Sequence, residues 1–186
     1  FVPNVGSRPD GVYRDDGGGK VSRITPGLLG NSSRASAHAA WGDYDNDGDL
    51  DLFFTTVYAV ASFGRENHAV LFRNDGFGKD GSRKDGGFVF ADATAAAGLA
   101  GQPPTSQAAW ADFDRDGDLD LVTAGKLFVN QGAGNRWLEV RLRGDSKSVN
   151  ASAIGAQVRL KLADRTLARQ VEAGTGEGNQ NDLVLH

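Results

Sequence analysis

Two short segments of the chain place five aspartates at alternate positions within nine residues, and this pattern limits what the chain can fold into. The first segment, WGDYDNDGDLDLFF, runs from Trp41 to Phe54, and the second, WADFDRDGDLDLVT, runs from Trp110 to Thr123. Carboxylates this close together repel one another, so a compact fold needs a positive charge between them. A solvated acidic turn is the alternative, but the identical spacing in both copies favours two cation sites of one design.

Each loop has the oxygen ligands and the turn residue of a calcium site. Carboxylates at positions 1, 3 and 5 point inward, glycine at position 6 allows the reversal, and position 7 presents its backbone carbonyl before position 9 closes the shell. Soft metals would require His or Cys, and Mg²⁺ would require stricter octahedral geometry. We therefore predict two Ca²⁺ ions, one in each loop. The predicted ligands are Asp43, Asp45, Asp47, Asp49, Asp51, Asp112, Asp114, Asp116, Asp118 and Asp120.

The loops differ from EF-hands, although their first halves match. An EF-hand loop carries a bidentate Glu at position 12 and continues into a helix. Position 12 is Phe54 in the first copy and Thr123 in the second, and the apolar residues around it read as strands. We expect nine-residue loops that end directly in strands.

Further elements recur around the loops, which indicates that the chain is built from repeats. An apolar–aromatic pair, one further residue, and then Asn or Asp before a glycine-rich turn, occurs at residues 12–19, 71–78 and 127–134. This composition is typical of a strand that enters a hairpin. A second strand follows at residues 88–99, where ADATAAAG is expected to form at most one short helical turn. The 26 glycines of the chain fit many tight turns between short strands.

The pattern changes near Asn135. The segments NRWLEVRLRG and AIGAQVRLKLADRT alternate apolar and polar residues, as half-buried strands do, and no aspartate loop recurs. We predict two domains, with the repeats over residues 1–134 and a small β module over residues 135–186.

Composition excludes several classes of function. The net charge is −4, but the acidic residues are concentrated in the two loops, and no clustered basic face is visible. We therefore expect no nucleic-acid partner. No run approaches the roughly 18 apolar residues of a membrane span, so none is expected. The absence of cysteine excludes disulfides and thiolate metal sites.

No catalytic constellation emerges from the sequence. His38 and His68 with nearby Asp or Ser residues allow a hydrolase triad to be imagined, but spacing alone does not support one. We expect both histidines to be structural or surface residues, and Trp41 and Trp110 to pack in a core. A fully ligated calcium leaves little room for substrate, so we expect structural ions and no enzyme activity.

The acidic loops, with Trp before and Leu-Asp-Leu after, resemble the calcium loops of FG-GAP/VCBS-type β-propeller repeats, which occur in integrin α-subunits and many bacterial surface proteins. The C-terminal segment resembles the ASPIC/UnbV module of the cartilage acidic protein family. That second resemblance rests on Trp137-Leu138, Ala153 to Ala156 and Gly174 to Gln180. The chain departs from the module at residues 148–151 and at Glu177. It stops at His186 where the family continues, so we expect a truncated C-terminus.

The resemblance implies an all-β fold: a partial β-propeller of about two calcium-bearing blades plus a leading fragment, each blade with about four strands, followed by a small C-terminal β module. Propellers close with ~4–8 blades. We therefore expect the chain to be part of a longer protein, or to complete its sheet against neighbouring chains.

These observations predict a calcium-binding repeat protein that works in adhesion, scaffolding or the binding of a protein or polysaccharide ligand. Exposed calcium loops stay filled where calcium is abundant, so we expect an extracellular, cell-surface or periplasmic location. Two alternatives remain open: a glycan-processing enzyme, such as a lyase or hydrolase, on a propeller scaffold, and a structural subunit of a larger assembly.

Overall fold

A computed structural model describes residues 11–24, 36–56, 68–76, 89–132, 134–163, 165–174 and 179–186. All regular structure in these ranges is β-strand, which confirms the all-β prediction. No helix within the same ranges is long and apolar enough to cross a membrane. The strands are β1 (Val12–Gly17), β2 (Lys20–Ile24), β3 (Ser36–Gly42), β4 (Asp51–Thr56), β5 (Val70–Asn74), β6 (Phe90–Asp92), β7 (Ala108–Ala111), β8 (Asp120–Thr123), β9 (Lys126–Phe128), β10 (Gln157–Lys161) and β11 (Thr166–Gln170).

The strands form four antiparallel sheets, each in chain order. The first sheet is β1-β2, the second is β3-β4-β5-β6, the third is β7-β8-β9, and the fourth is β10-β11. The second and third sheets share one register, because Trp41 pairs with Leu52 and Trp110 pairs with Leu121. The four-stranded second sheet is what a propeller blade requires. The sheets are propeller-like, but the described residues do not form a closed propeller.

The second sheet is buried on both faces, between the first sheet and the third. On one face, Leu52 and Phe54 pack with Val12 of β1. On the other face, Phe53 packs with Trp110 of β7, and the two rings meet edge-on with centroids 6.4 Å apart. All six residues of β4 are consequently buried. Burial on both faces explains why DLFFTT reads as a nearly continuous apolar run instead of an alternating one.

The connections agree with the repeat read from the sequence. After β6 the chain makes one helical turn, in which the Ala97 amide donates to the Ala93 carbonyl at 2.9 Å. Each aspartate loop leads directly into a strand, since β4 begins at Asp51 and β8 begins at Asp120. The rejection of the EF-hand is confirmed.

The C-terminal segment, residues 135–186, matches the sequence prediction only in part. The hairpin β10-β11 forms where AIGAQVRLKLADRT predicts strands. The predicted strand at residues 137–142 is wrong, because the segment makes a single antiparallel bridge, between Val140 and Leu185. Because this segment is not part of a sheet, it has no buried and exposed faces, and the neighbouring residues Trp137 and Leu138 are both exposed. Within the stretch Gly174 to Gln180, on which the module resemblance partly rests, residues 175–178 lie outside the described residues. The domain boundary near residue 135 stays a prediction.

We predict that Phe53→Ala destabilises the fold far more than Val122→Ala, although the two residues occupy equivalent positions of the repeat. Phe53 is 1% exposed between two sheets, whereas Val122 is 47% exposed. Truncating Phe53 leaves a cavity and should lower the free energy of unfolding by about 3–5 kcal/mol. Val122→Ala should cost roughly 0.5 kcal/mol, as surface substitutions do. Urea unfolding of dilute protein measures both values, and equal losses would contradict the sandwiched position of the second sheet.

Candidate metal centre

The first aspartate loop (residues 43–51) connects β3 to β4, and the second aspartate loop (residues 112–120) connects β7 to β8. The two follow the same backbone path. Position 4 has positive φ in both, 55° at Asn46 and 63° at Arg115, and position 6 has φ of 95° at Gly48 and 92° at Gly117. Glycine adopts this region freely and Asn tolerates it, whereas Arg115 is held there by the loop.

The aspartate at position 1 holds the turn together. The carboxylate of Asp43 accepts the backbone amides of positions 5 and 6, at 3.1 and 3.0 Å. Asp112 accepts the same two amides in its own loop, at 3.2 and 3.0 Å. The position 5 carboxylate in turn accepts the amide of position 7, at 2.9 Å in the first loop and 3.0 Å in the second. The aspartates therefore fix the backbone conformation of the loops in addition to giving them negative charge.

The aspartate at position 9 fastens each loop to the next hairpin. Asp51 accepts the Tyr44 amide at 3.0 Å with one oxygen and the Asn74 amide at 2.7 Å with the other. Asp120 accepts the amides of position 2 and of Asn130, both at 2.8 Å. Each carboxylate is thereby bonded on both oxygens, deep in the fold.

Asn74 and Asn130 are site residues that the sequence reading missed. Each side chain donates to the carbonyl at position 8 of its loop, at 3.1 and 3.2 Å, and accepts the amide of Gly76 or Gly132 at 3.1 Å. Both asparagines recur two residues before the hairpin glycine of the repeat. Their link to the loops was hidden because they follow Asp51 and Asp120 at different chain distances.

The two hairpin glycines have a steric reason to be glycine. A Cβ on Gly76 would clash with the Asp49 carboxylate, and one on Gly132 would clash with the Asp118 carboxylate. The position 7 side chain of each loop therefore rests against its hairpin.

Three carboxylates converge in each loop, with ligand atoms within 4.8 Å of one another. In the first loop these are Asp43, Asp45 and Asp51. In the second loop the converging residues are Asp112, Asp114 and Asp116. The predicted ligands Asp47, Asp49, Asp118 and Asp120 lie in the same loops but outside these groups, and their role as ligands stays a prediction.

The first loop contains an oxygen that lacks a protein partner. Oδ1 of Asp45 is buried and has no hydrogen-bond partner among the described residues. Buried polar atoms are nearly always satisfied, so an orphan oxygen beside two other carboxylates fits a cation ligand. The residues present are thus suited to a hard divalent ion.

Burial makes the negative charge of the first loop unfavourable without a cation. Burial raises the pKa of Asp51 to about 8. The nearby carboxylates of Asp45 and Asp43 raise this pKa further, whereas the hydrogen bonds from the Asn74 and Tyr44 amides lower it. Burial likewise raises the pKa of Asp43 to about 6, where the Arg169 guanidinium opposes the shift. A bound divalent ion would reverse this preference for the protonated form.

The C-terminal segment supplies positive charge to the first loop. Nη2 of Arg169 on β11 lies 2.8 Å from the Asp43 carboxylate, in a contact largely shielded from solvent. Nη2 of Arg165 donates to the carbonyl of Asp47, and its Nη1 lies 3.8 Å from the Asp49 carboxylate. Neither arginine can be assigned to the loop from the sequence, because more than 110 residues separate them from it.

The same segment also covers the second loop. The Trp137 ring lies directly over Gly117, where an added Cβ would clash with the ring. The two loops contact each other as well, since the Asn46 amide donates to the Gly117 carbonyl at 2.9 Å and to the Asp118 carboxylate at 2.7 Å. Both loops therefore form one layer under the described part of residues 135–186.

Residues 179–182 bind the strands that precede the loops. Asn181 accepts the Trp110 amide at 3.0 Å and donates to the Trp41 carbonyl at 3.2 Å, so it joins β3 to β7. Asn179 contacts the ring of His38 at 3.1 Å. His38 is buried, and burial lowers its pKa, which suits a neutral structural histidine.

A family profile described as an FG-GAP-like repeat matches residues 4–54, a range that includes the first aspartate loop. No curated protein matches the chain. The FG-GAP part of the sequence-based resemblance is supported over these residues, whereas nothing supports the VCBS type specifically or the ASPIC/UnbV module.

We predict that the calcium-free protein becomes more stable as the pH is lowered from 8 to 5. The pKa values of Asp51 (about 8) and Asp43 (about 6) in the folded protein exceed the ordinary Asp value of roughly 3.9 expected after unfolding. The folded state thus binds more protons in this window, and stability falls as pH rises through it. Melting temperatures in EDTA at several pH values measure the effect.

With saturating calcium the trend should disappear or reverse, because protons compete with the ion for the same oxygens. A melting temperature in EDTA that rises with pH would contradict this prediction.

We also predict that Arg169→Met tightens calcium binding at one of two sites. Removing a cation 2.8 Å from Asp43 relieves its repulsion of the ion, which should lower the dissociation constant by about three- to tenfold. Arg169→Lys, which keeps the charge, is the matched control. Titration calorimetry should show the second site unchanged, and a weaker first site would refute the assigned role of Arg169.

Proposed function

We propose that the chain is a calcium-stabilised, non-enzymatic repeat module of the FG-GAP type that works outside the cytoplasm in adhesion, scaffolding or ligand binding. The observation that carries the proposal is the duplication of one loop. The same nine-residue path, with the same amide-to-carboxylate bonds and three converging carboxylates, occurs at residues 43–51 and 112–120.

The donor set supports calcium over other ions. Each converging group offers carboxylate oxygens only, and neither contains His or Cys. Ca²⁺ takes six to eight such oxygens, including backbone carbonyls and water. In the first loop Asp43, Asp45 and Asp51 would hold the ion, and in the second Asp112, Asp114 and Asp116. The bound ion would supply the positive charge that the clustered carboxylates require.

The position of the loops supports a structural role for the ions. Asp51 is fully buried and is the first residue of β4, the strand whose side chains pack on both faces of the second sheet. Asp120 stands in the same place on β8 and is also buried. An ion ligated there would fix the turn between two strands of each sheet, and binding would be coupled to folding.

A non-enzymatic role is supported by the distribution of acidic and histidine side chains. Within the described residues, groups of three or more that converge are found in the two loops. His38, one of the two histidines considered for a triad, is buried and contacts Asn179. The location outside the cytoplasm is supported by the FG-GAP-like match, since such repeats are typically extracellular, and by the abundance of calcium there.

The matched variants Asp45→Ala and Asp114→Ala test the proposal, because position 3 contributes a converging carboxylate in both loops. We expect titration calorimetry to show two calcium ions for the wild-type chain, one for each single variant and none for the double variant. EDTA should lower the melting temperature of the wild type substantially and leave the double variant unchanged.

Asp145→Ala is the control, because this carboxylate accepts the backbone amides of residues 147–149 and lies outside both loops. It should keep both ions. Two ions bound by the double variant, or a wild-type melting curve indifferent to EDTA, would refute the proposed calcium sites.

A further inference from the structure

Three consecutive residues of the first aspartate loop are bonded to parts of the chain at or beyond the second loop. The Tyr44 carbonyl accepts the side-chain amide of Asn130 at 2.6 Å, and the Asp45 carbonyl accepts that of Asn135 at 2.7 Å. The third residue, Asn46, donates to the second loop itself. The backbone on both sides of Asp45, a converging carboxylate with an orphan oxygen, is therefore held by partners outside its own loop.

On the second loop, these bonds end beside groups predicted to bind calcium. The Asn46 side chain donates to the carbonyl at position 6 and to the carboxylate of Asp118, the position 7 residue whose own carbonyl is a predicted ligand. The side-chain nitrogen of Asn130 donates both to the Leu119 carbonyl of the second loop and to the Tyr44 carbonyl of the first. A shift in the backbone of either loop would consequently strain bonds that also hold the other loop.

We propose that the two calcium sites are positively coupled, so that an ion bound in one loop raises the affinity of the other, with Asn46, Asn130 and Asn135 as the positioning residues. Clustered carboxylates repel one another and loosen an empty loop, so the first binding event has to order it. Because the loops share bonds, ordering one also orders part of the other, and the second ion binds at a smaller entropic cost. This inference rests on the proposed calcium sites and adds an energetic connection between them.

Electrostatic repulsion between two filled loops opposes this coupling. The aspartates of each loop outnumber the two charges of one ion, so a filled loop still attracts a cation, although less strongly than an empty one. This effect is screened by salt, whereas hydrogen bonds act by direct contact. Each bond between the loops is worth about two- to tenfold in an equilibrium constant, and several act together. We therefore expect the bonds to determine the sign of the coupling.

Titration calorimetry with calcium tests the coupling through a thermodynamic cycle. Asp45→Ala leaves the second site and Asp114→Ala leaves the first, so the two variants give the affinity of each site beside an empty neighbour. The coupling factor is the product of the two wild-type association constants divided by the product of these two single-site constants. We expect a factor of about five- to twentyfold. It should persist at high salt, where the repulsion is screened.

Asn46→Gly removes the bonds between the loops and keeps the backbone conformation, because φ at this position is 55° and glycine adopts this region freely. The variant should still bind two ions, but its coupling factor should fall by about two- to tenfold. Asn135→Ala should lower the factor in the same way, and the double variant should bring it to unity or below. Asp45→Ala and Asp114→Ala made in each background supply the single-site constants.

Asn150→Ala is the matched control, because this asparagine also makes two bonds from its side chain to backbone atoms, both to Ile154 and outside both loops. It should leave the coupling factor unchanged. Two bound ions with a wild-type factor at or below unity, or equal losses in Asn150→Ala and Asn46→Gly, would overturn the coupling and leave the calcium sites standing. Fewer than two ions bound by the wild type would overturn the calcium sites and the coupling with them.

Discussion

The structure depends on carboxylates that are buried at the start of buried strands. Asp51 is fully buried, it is bonded on both oxygens by backbone amides, and it begins a strand whose every residue is buried. It cannot turn toward solvent without breaking the junction between β3 and β4. The negative charge must therefore be neutralised in place, by protonation, by an arginine or by a metal ion. The aspartate loops are consequently parts of the core architecture, and their electrostatics and the stability of the sheets cannot be separated.

Stacking of the repeated sheets explains why the two loops lie together. One face of the second sheet packs on the opposite face of the third. The loops at equivalent ends of their strands lie side by side, and Asn46 of one loop bonds to Asp118 of the other. This single layer lets the C-terminal segment contact both loops at once, with Arg169 at the first and Trp137 at the second. The loops share their aspartate spacing and internal bonds but differ in what covers them, an arginine at the first and a tryptophan at the second, so they occupy unequal environments.

Much of the fold was predictable because its determinants are local. The glycine at position 6, the alternate aspartates and the apolar residues of β4 and β8 all act over a few residues, and loops and strands form where they were expected. The strand predicted at residues 137–142 did not form. Alternation of apolar and polar residues shows that the two sides of a segment differ, but it does not show whether a neighbouring strand will pair with that segment. Asn74 and Asn130 were visible as recurring residues, but their bonds to the loops arise only when the hairpin folds back.

The sequence by itself determined the shape of each aspartate loop, the strands that follow it and the existence of a repeat, since these depend on backbone freedom, charge spacing and periodicity within short segments. Only the tertiary structure decided which carboxylates converge, that Asp45 keeps an orphan oxygen, and that Arg165 and Arg169 reach across the chain to the first loop. It also decided that Phe53 is buried while the equivalent Val122 is exposed. The physical reason is that burial depends on which sheet lies alongside, and no local pattern of residues contains that information.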